Sequence, residues 1–485
     1  MNTRYVLIVV LLETVVGCAQ VRIIGTATVK GSVSLRSSDT SHEIRPTAVP
    51  SSFFGIHFKS TTPWPEIPFG SLRLWDSGTR WQQNESGQSV YDFSALDTYL
   101  RSAKSHGLAE VLLTLSATPQ WASSDPTNTR CDYAYTSNGS CAPPTDLNPD
   151  GTGPNQYWRD YTYNLGGHLA ALDGAVYARV TGFSMWNEFT RSQDSSLIAW
   201  EGTNEQLVRI VEDANCILTG RGEVTTPCSP KAMNEPGIGL LAGSRLTTPD
   251  SVLTLPQSSN YQLYLQAAGA LAAADVIAVH GYVQNGSCCS NAETLITRMN
   301  TLKSIIPSSA TTLPIWSTEG GWGTSQANLP DPDMQAAFVA RYYLIGWAQG
   351  FQRLYWYAYD NPTWGTLWNP DGVNGCSDRG TGRGCLTKAG VAYASIYSWM
   401  VDSEMSTPCV LTGTTWSCGL TDPQGRKRLA VWDAAQTCSG GVCTASTYTV
   451  DSMYKTYLEL DGLPAKAVTG QRVQVGAKPI LLQQN

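Results

Sequence analysis

The segment Arg179-Val-Thr-Gly-Phe-Ser-Met-Trp-Asn-Glu-Phe189 is an apolar run that ends abruptly in polar-tipped residues. A second segment of the same design is Leu313-Pro-Ile-Trp-Ser-Thr-Glu-Gly-Gly-Trp322. Each reads as a buried strand that finishes in a glutamate, Glu188 and Glu319. Similar short runs recur at Phe53–Phe58, Ser71–Trp75, Glu110–Ser116, Ile238–Gly243, Asp275–His280 and Phe351–Tyr357. Amphipathic stretches separate them: Ser94–His106, Tyr157–Leu172, Asn204–Leu218, Asn260–Ala273, Ala292–Ile306 and Met334–Gly350. Alternation of strand and helix calls for a parallel sheet with crossover helices. Eight strands in order are the number that closes a (β/α)8 TIM barrel, whose site lies at the C-terminal strand ends. An open doubly wound sheet would want a glycine phosphate loop after its first strand, and Phe54-Gly-Ile-His-Phe58 has none. The glycines of Gly237-Ile-Gly-Leu-Leu-Ala-Gly243 miss the dinucleotide spacing and read as strand packing.

Beyond Met400 helical periodicity stops. Short alternating runs at Arg428–Trp432, Ser446–Val450, Thr456–Leu460, Ala467–Val475 and Lys478–Leu482 predict a small all-β sandwich module. The expected division is a leader over 1–19, a linker or edge strand of the module over 20–50, the barrel over 51–400 and the module over 401–485.

The first nineteen residues combine Arg4, an apolar stretch to Val16 and the small-residue end Gly17-Cys18-Ala19. This is the pattern of a secretory signal. It fits a lipoprotein box, with Cys18 as the lipidated first residue, or cleavage after Ala19. The expected place is secreted, or anchored at a bacterial cell surface or in the periplasm. The other twelve of the 13 cysteines fall into six couples close in sequence. Such an even count in short loops points to local disulfides and an oxidising compartment. Cys288 and Cys289 stand apart, because a vicinal bridge is strained and each can pair elsewhere.

Lys and Arg number 32 against 39 Asp and Glu, a net charge of −7, which argues against a nucleic-acid partner. No zinc-type ligand spacing is present, so no metal and no cofactor are expected. No G-x-S-x-G elbow marks a serine hydrolase. Trp (16) and Tyr (22) outnumber Phe (9), a balance suited to gripping amphipathic ligands such as sugars.

Glu188 stands 131 residues before Glu319, so only a closed barrel brings them to one bowl. Two carboxyls there can divide acid and base work. Trp186-Asn187-Glu188 with Thr318-Glu319-Gly320 resembles the clan A glycoside hydrolases. Phe54-Gly-Ile-His57, Ser71-Leu-Arg73-Leu-Trp-Asp76, Thr118-Pro-Gln-Trp121-Ala and Ala278-Val-His280-Gly-Tyr282 sharpen this toward family 39. The chain departs from that pattern with Phe189 after Glu188 and Gly-Gly-Trp322 after Glu319.

The resemblance implies a retaining enzyme acting on an oligo- or polysaccharide, with Glu188 as acid/base and Glu319 as nucleophile. It implies that Asn187 bonds the sugar 2-hydroxyl and that Arg73 keeps Glu319 ionised. It implies that His280 or Tyr282 orients a carboxylate, that His57 and Asp76 belong to the substrate site, and that Trp121, Trp322 and Trp356 stack on sugar faces. Trp364 and Trp368 are further stacking candidates, while Trp316, Trp347 and Trp399 read as core. A non-catalytic glycan binder and a transglycosylase are the alternatives to a hydrolase. The sequence leaves oligomeric state, sugar and linkage open.

Overall fold

The structure is a computed structural model. It describes residues 48–131, 137–190, 198–221, 239–253, 257–283, 290–369 and 385–484. The expected leader with Cys18, most of the 20–50 segment, and Cys228, Cys288, Cys289 and Cys376 lie outside them.

The parallel strands are β1 (Phe54–Ile56), β2 (Ser71–Leu74), β3 (Glu110–Leu115), β4 (Val180–Met185), β5 (Arg245–Pro249), β6 (Ile277–His280), β7 (Ile315–Gly320) and β8 (Phe351–Trp356). β1 pairs with both β2 and β8, so the ladder runs β5-β4-β3-β2-β1-β8-β7-β6. Its ends meet. Thr247 bridges Val276, and Ser251 and Val252, just past β5, pair with Val279 and His280. Closure leaves no sheet edge unpaired and directs all C-terminal strand tips into one bowl. Helices α1 (Ser94–Ser105), α2 (Gln156–Ala171), α3 (Asn204–Thr219), α4 (Gln257–Gln266), α5 (Thr294–Ile305), α6 (Pro332–Ala348) and α7 (Lys388–Met400) cover the outside. The β1–β2 connection, 57–70, carries none.

Local chemistry sets the helix limits. Thr203 caps α3 in a reciprocal box with Gln206, and Gly220 ends it with φ 76°. Asp331 caps α6, with Pro332 at its first position.

The fifth strand is a correction. It was expected at Ile238–Gly243, but residues 239–243 form a turn and the strand is Arg245–Pro249. Gly239 and Gly243 take φ of 72° and 93°, outside any strand geometry. The apolar run was therefore glycine-permitted turn. The buried, Thr-rich Leu246–Pro249 segment is what the barrel uses.

After α7 the chain forms an antiparallel sheet. Its strands are β9 (Glu404–Thr412), β10 (Thr415–Thr421), β11 (Lys427–Asp433), β13 (Tyr454–Leu458) and β15 (Ile480–Gln484), ordered β9-β10-β11-β15-β13 and extended by Lys466–Ala467. A ribbon of β12 (Ala445–Thr449) and β14 (Arg472–Gly476) packs over it. Val431, Val450, Val473, Val475, Ile480 and Leu482 fill the space between the layers. Disulfides Cys409–Cys418 and Cys438–Cys443 staple this module, and Cys131–Cys141 closes a loop after β3. The module is fastened to the barrel through Trp432 Nε1, which donates to Glu293 at 2.8 Å, and through Lys478, which pairs with Asp333 at 3.0 Å. Within 20–50, the described Val49 bridges Val401 at the end of α7.

Candidate active site

Glu188 enters the bowl because the backbone turns sharply after β4. Trp186 and Glu188 take φ of 33° and 49°, a left-handed conformation costing a non-glycine residue on the order of 1 kcal/mol or more. The fold pins the turn at both ends. Trp186 is wholly buried, its indole donates to the Ala199 carbonyl at 2.9 Å, and its ring meets Trp200 edge-on. Its backbone N–H bonds Leu115 and its carbonyl accepts from the Asp250 N–H. Glu319 needs no such device, because it lies within β7 and is 5% exposed.

His280, at the end of β6, joins the two. Its Nδ1 lies 2.8 Å from Glu188 Oε1 and 3.0 Å from Glu319 Oε2. One atom from each of Glu188, His280 and Glu319 fits within a mutual 4.8 Å. Arg73, on β2, approaches from beneath. Its Nη1 is 3.3 Å from Glu319 Oε1, and its Nη2 donates to Asn187 Oδ1 at 2.8 Å and to Asp250 Oδ2 at 2.5 Å. Tyr282 OH donates to Glu319 Oε2 at 3.3 Å.

Burial by itself would push His280 down. The Glu319 charge and the bonds to Asp250, Glu188 and Glu319 overcome it and hold the imidazole well above its usual range. For Asp250, burial would raise the carboxyl, but Arg73 and His280 hold it below the usual range. Buried carboxylates around two buried cations form a cluster that can hold, move and release a proton. Glu188, His280 and Glu319 are also the residue types that bind metals. However, Nδ1 lies at hydrogen-bonding distance from both carboxylates, and a guanidinium already sits against Glu319. That donor set suits a proton better than a cation.

Most of the expected residues converge. Arg73, His280, Asn187 and Tyr282 are bonded to one or both glutamates or to each other, as given above. His57 lies below them. Its Nε2 is 3.0 Å from the Thr318 carbonyl, directly before Glu319. Burial, with the charge of Arg73, pushes it well below the usual histidine range, so the ring is neutral. Asp76 accepts from Arg80 at 2.9 Å and from the Tyr357 hydroxyl. Tyr357 packs edge-on against His57 and its N–H bonds the Gly320 carbonyl.

Two stacking expectations are corrected. Trp322 and Trp356 are 0% exposed and pack against each other and Phe338, with their indole N–H groups bonded to Ser325 and Gly365. Neither presents a face to a ligand. Trp121 meets Tyr157 edge-on and donates to the Glu85 carbonyl. Among the described residues no hydrogen bond joins it to either glutamate. Trp364 is half-buried and meets Tyr282 edge-on at 5.8 Å, while Trp368 stacks on Tyr359. Trp316, Trp347 and Trp399 are core, as expected.

Sequence reasoning missed Asp250 and Tyr357. Asp250 follows Thr-Thr-Pro at the true end of β5, and its signal was hidden by the misplaced strand. Tyr357 directly follows β8, where an aromatic was foreseen one residue early.

No family model matches the chain, and no curated protein matches it. Solved structures do. A family 39 glycoside hydrolase from the gut symbiont Bacteroides cellulosilyticus WH2 aligns at TM-score 0.58 and 13% identity, over 90% of this chain and 81% of that one. A family 39 enzyme from Xanthomonas axonopodis pv. citri aligns at 0.53 and 14%, over 90% and 94%. The catalytic domain of a family 30 xylanase C from Talaromyces cellulolyticus aligns at 0.51 and 11%, over 90% and 99%. At such identities the likeness is one of fold: across 90% of its length the chain takes the architecture of these glycoside hydrolase structures.

Proposed function

We propose that the chain is a retaining glycoside hydrolase of clan A, most like family 39, that cleaves glycosidic bonds of an oligo- or polysaccharide by double displacement. The carrying observation is the approach of Glu188 and Glu319, with carboxylate oxygens no more than 4.8 Å apart at the ends of β4 and β7. Retaining enzymes hold their two carboxyls about 5–5.5 Å apart, whereas inverting ones leave about 6.5–9.5 Å for a water.

In this reading Glu188 gives its proton to the leaving oxygen as Glu319 attacks the anomeric carbon. The glycosidic C–O bond breaks and a glycosyl–Glu319 ester forms. Glu188, now ionised, takes a proton from water. The hydroxide attacks the same carbon and Glu319 leaves as carboxylate. Arg73 and Tyr282 hold Glu319 ready for attack and stabilise it on departure. Asn187, oriented by Arg73, meets the sugar 2-hydroxyl. No step needs a cofactor.

The division into a 51–400 barrel and a 401–485 module, and export with lipidation at Cys18, belong to the same proposal. Three disulfides among the described residues support an oxidising compartment. Among the described residues no helix is long and apolar enough to cross a membrane.

The test is a panel of aryl glycosides and polysaccharides, with the first product's anomeric configuration read by NMR. Hydrolysis with retention is expected. Binding without cleavage would make the chain a glycan binder, sugar transfer without hydrolysis a transglycosylase, and an inverted first product would remove the double displacement.

A further inference from the structure

Asp250 lies against Arg73, Ser184, Thr318 and His280. It is fully buried at the end of β5. Its Oδ1 accepts from Thr318 Oγ1 at 2.8 Å, next to Glu319. Its Oδ2 accepts from Ser184 Oγ at 2.8 Å on β4 and from Arg73 Nη2 at 2.5 Å, and lies 3.4 Å from His280 Nε2. Its N–H is bonded to the carbonyl of strained Trp186. One side chain thus links β2, β4, β6 and β7, the strands that carry the site.

We propose that Asp250 is a positioning residue for the reaction: by holding the Nε2 side of His280, it keeps Nδ1 aimed at Glu188 and Glu319 together. The proposal rests on the glycosidase reading for its kinetic consequence, and on geometry alone for the state of His280. The ring has carboxylates against both nitrogens, Glu188 and Glu319 at Nδ1 and Asp250 at an ion-pair distance of 3.4 Å from Nε2, an arrangement that favours the imidazolium, and the raised His280 range agrees. The groups facing that ring are Glu188 from the β4 end, Asp250 from β5, Tyr282 from its own segment, Glu319 from β7, Arg73 through Asp250 and Glu319, and neutral His57 from the β1 end. Without Asp250 the ring loses one of the carboxylates that hold it charged, the one facing its Nε2 side.

Asp250→Asn is close to isosteric and removes only the charge. The chain has five histidines, so the imidazole nitrogens can be labelled and assigned one by one. In the unaltered protein at neutral pH, His280 is expected to show both nitrogens protonated. In Asp250→Asn it is expected to become neutral. Both limbs of the kcat/KM pH profile are expected to move up by about one unit or more, and kcat to fall on the order of 100-fold.

A neutral His280 in the unaltered protein overturns the proposal, and this measurement stands even if the variant fails to fold. Limbs that stay in place overturn it too, because they would make Asp250 purely structural. A downward movement also overturns it, since that is the direct effect of deleting a negative charge. If the unaltered protein cleaves no glycoside, the glycosidase reading fails, while the NMR result still decides the role of Asp250.

Discussion

Among the described residues, two arginine–aspartate pairs are buried completely, and their surroundings differ. Arg159 and Asp213 meet between α2 and α3, with both side chains 0% exposed. Asp213 also accepts from Arg209 Nε and from Asn155 Nδ2, both at 2.8 Å. Two guanidiniums there face one carboxylate. Arg73 and Asp250 are equally buried, but they sit at the strand ends, where Glu188, Glu319 and Asp250 confront Arg73 and His280. Carboxylates outnumber cations there, and one histidine is shared among three of them. Burial of charge is common to both clusters. What separates a site from a brace is an excess of carboxylates at the mouth of the barrel, which gives a proton somewhere to go.

The largest effect should come from the open cluster. Glu319→Ala should lower kcat about 10⁴-fold or more, with azide restoring turnover and giving product of inverted configuration. Glu188→Ala should cost about 10²–10⁴-fold on poor leaving groups and far less on activated aryl glycosides. Equal loss on both substrate classes would take the acid/base role from Glu188. The closed cluster should answer with stability instead. Asp213→Asn takes the charge partner from buried Arg159 and should cost about 3–5 kcal/mol in denaturant unfolding, with the limbs of the pH profile unmoved. A moved limb would show that the two clusters are not separate.

The smallest effect belongs to a third, partly exposed cluster. There Asp333 takes Lys388 at 2.8 Å and Lys478 at 3.0 Å, where the module meets the barrel. Burial would raise Asp333, but the two ammonium groups hold it below the usual range. Both lysines are more than a third exposed, so Asp333→Asn should cost about 1 kcal/mol or less. A depressed folded value means stability that is present above the unfolded value, about 3.9, and lost as pH falls through the folded one. Melting temperatures of protein and variant should differ at pH 7 and converge in acid. A constant gap would show that charge is not what Asp333 contributes.

Much of this was legible in sequence. Strands that end in Glu188 and Glu319 announce themselves, because parallel barrel strands are buried on both faces and a terminal carboxyl breaks an apolar run. Asn187 rides on the same β4 end, and Arg73 and His280 stand on the apolar strands β2 and β6. The fifth strand was not legible. Gly237–Gly243 is more apolar than Arg245–Pro249, and only the backbone angles at Gly239 and Gly243 show which one extends. Asp250 was lost with it. The indoles of Trp322 and Trp356 failed for another reason. An aromatic after a strand end can turn toward the bowl or toward the helices, and packing against Phe338 of α6 made that choice.

By itself, the amino-acid order determined the alternation of strands and helices, the two terminal carboxyls and the change of texture after Met400, since hydrophobic period and residue type are local properties. Only the tertiary structure decided that His280 serves both glutamates, that Asp250 lies behind it, and that two of the tryptophans are core. Those outcomes depend on distances between segments far apart in the chain, and these exist only once eight strands have closed on one another.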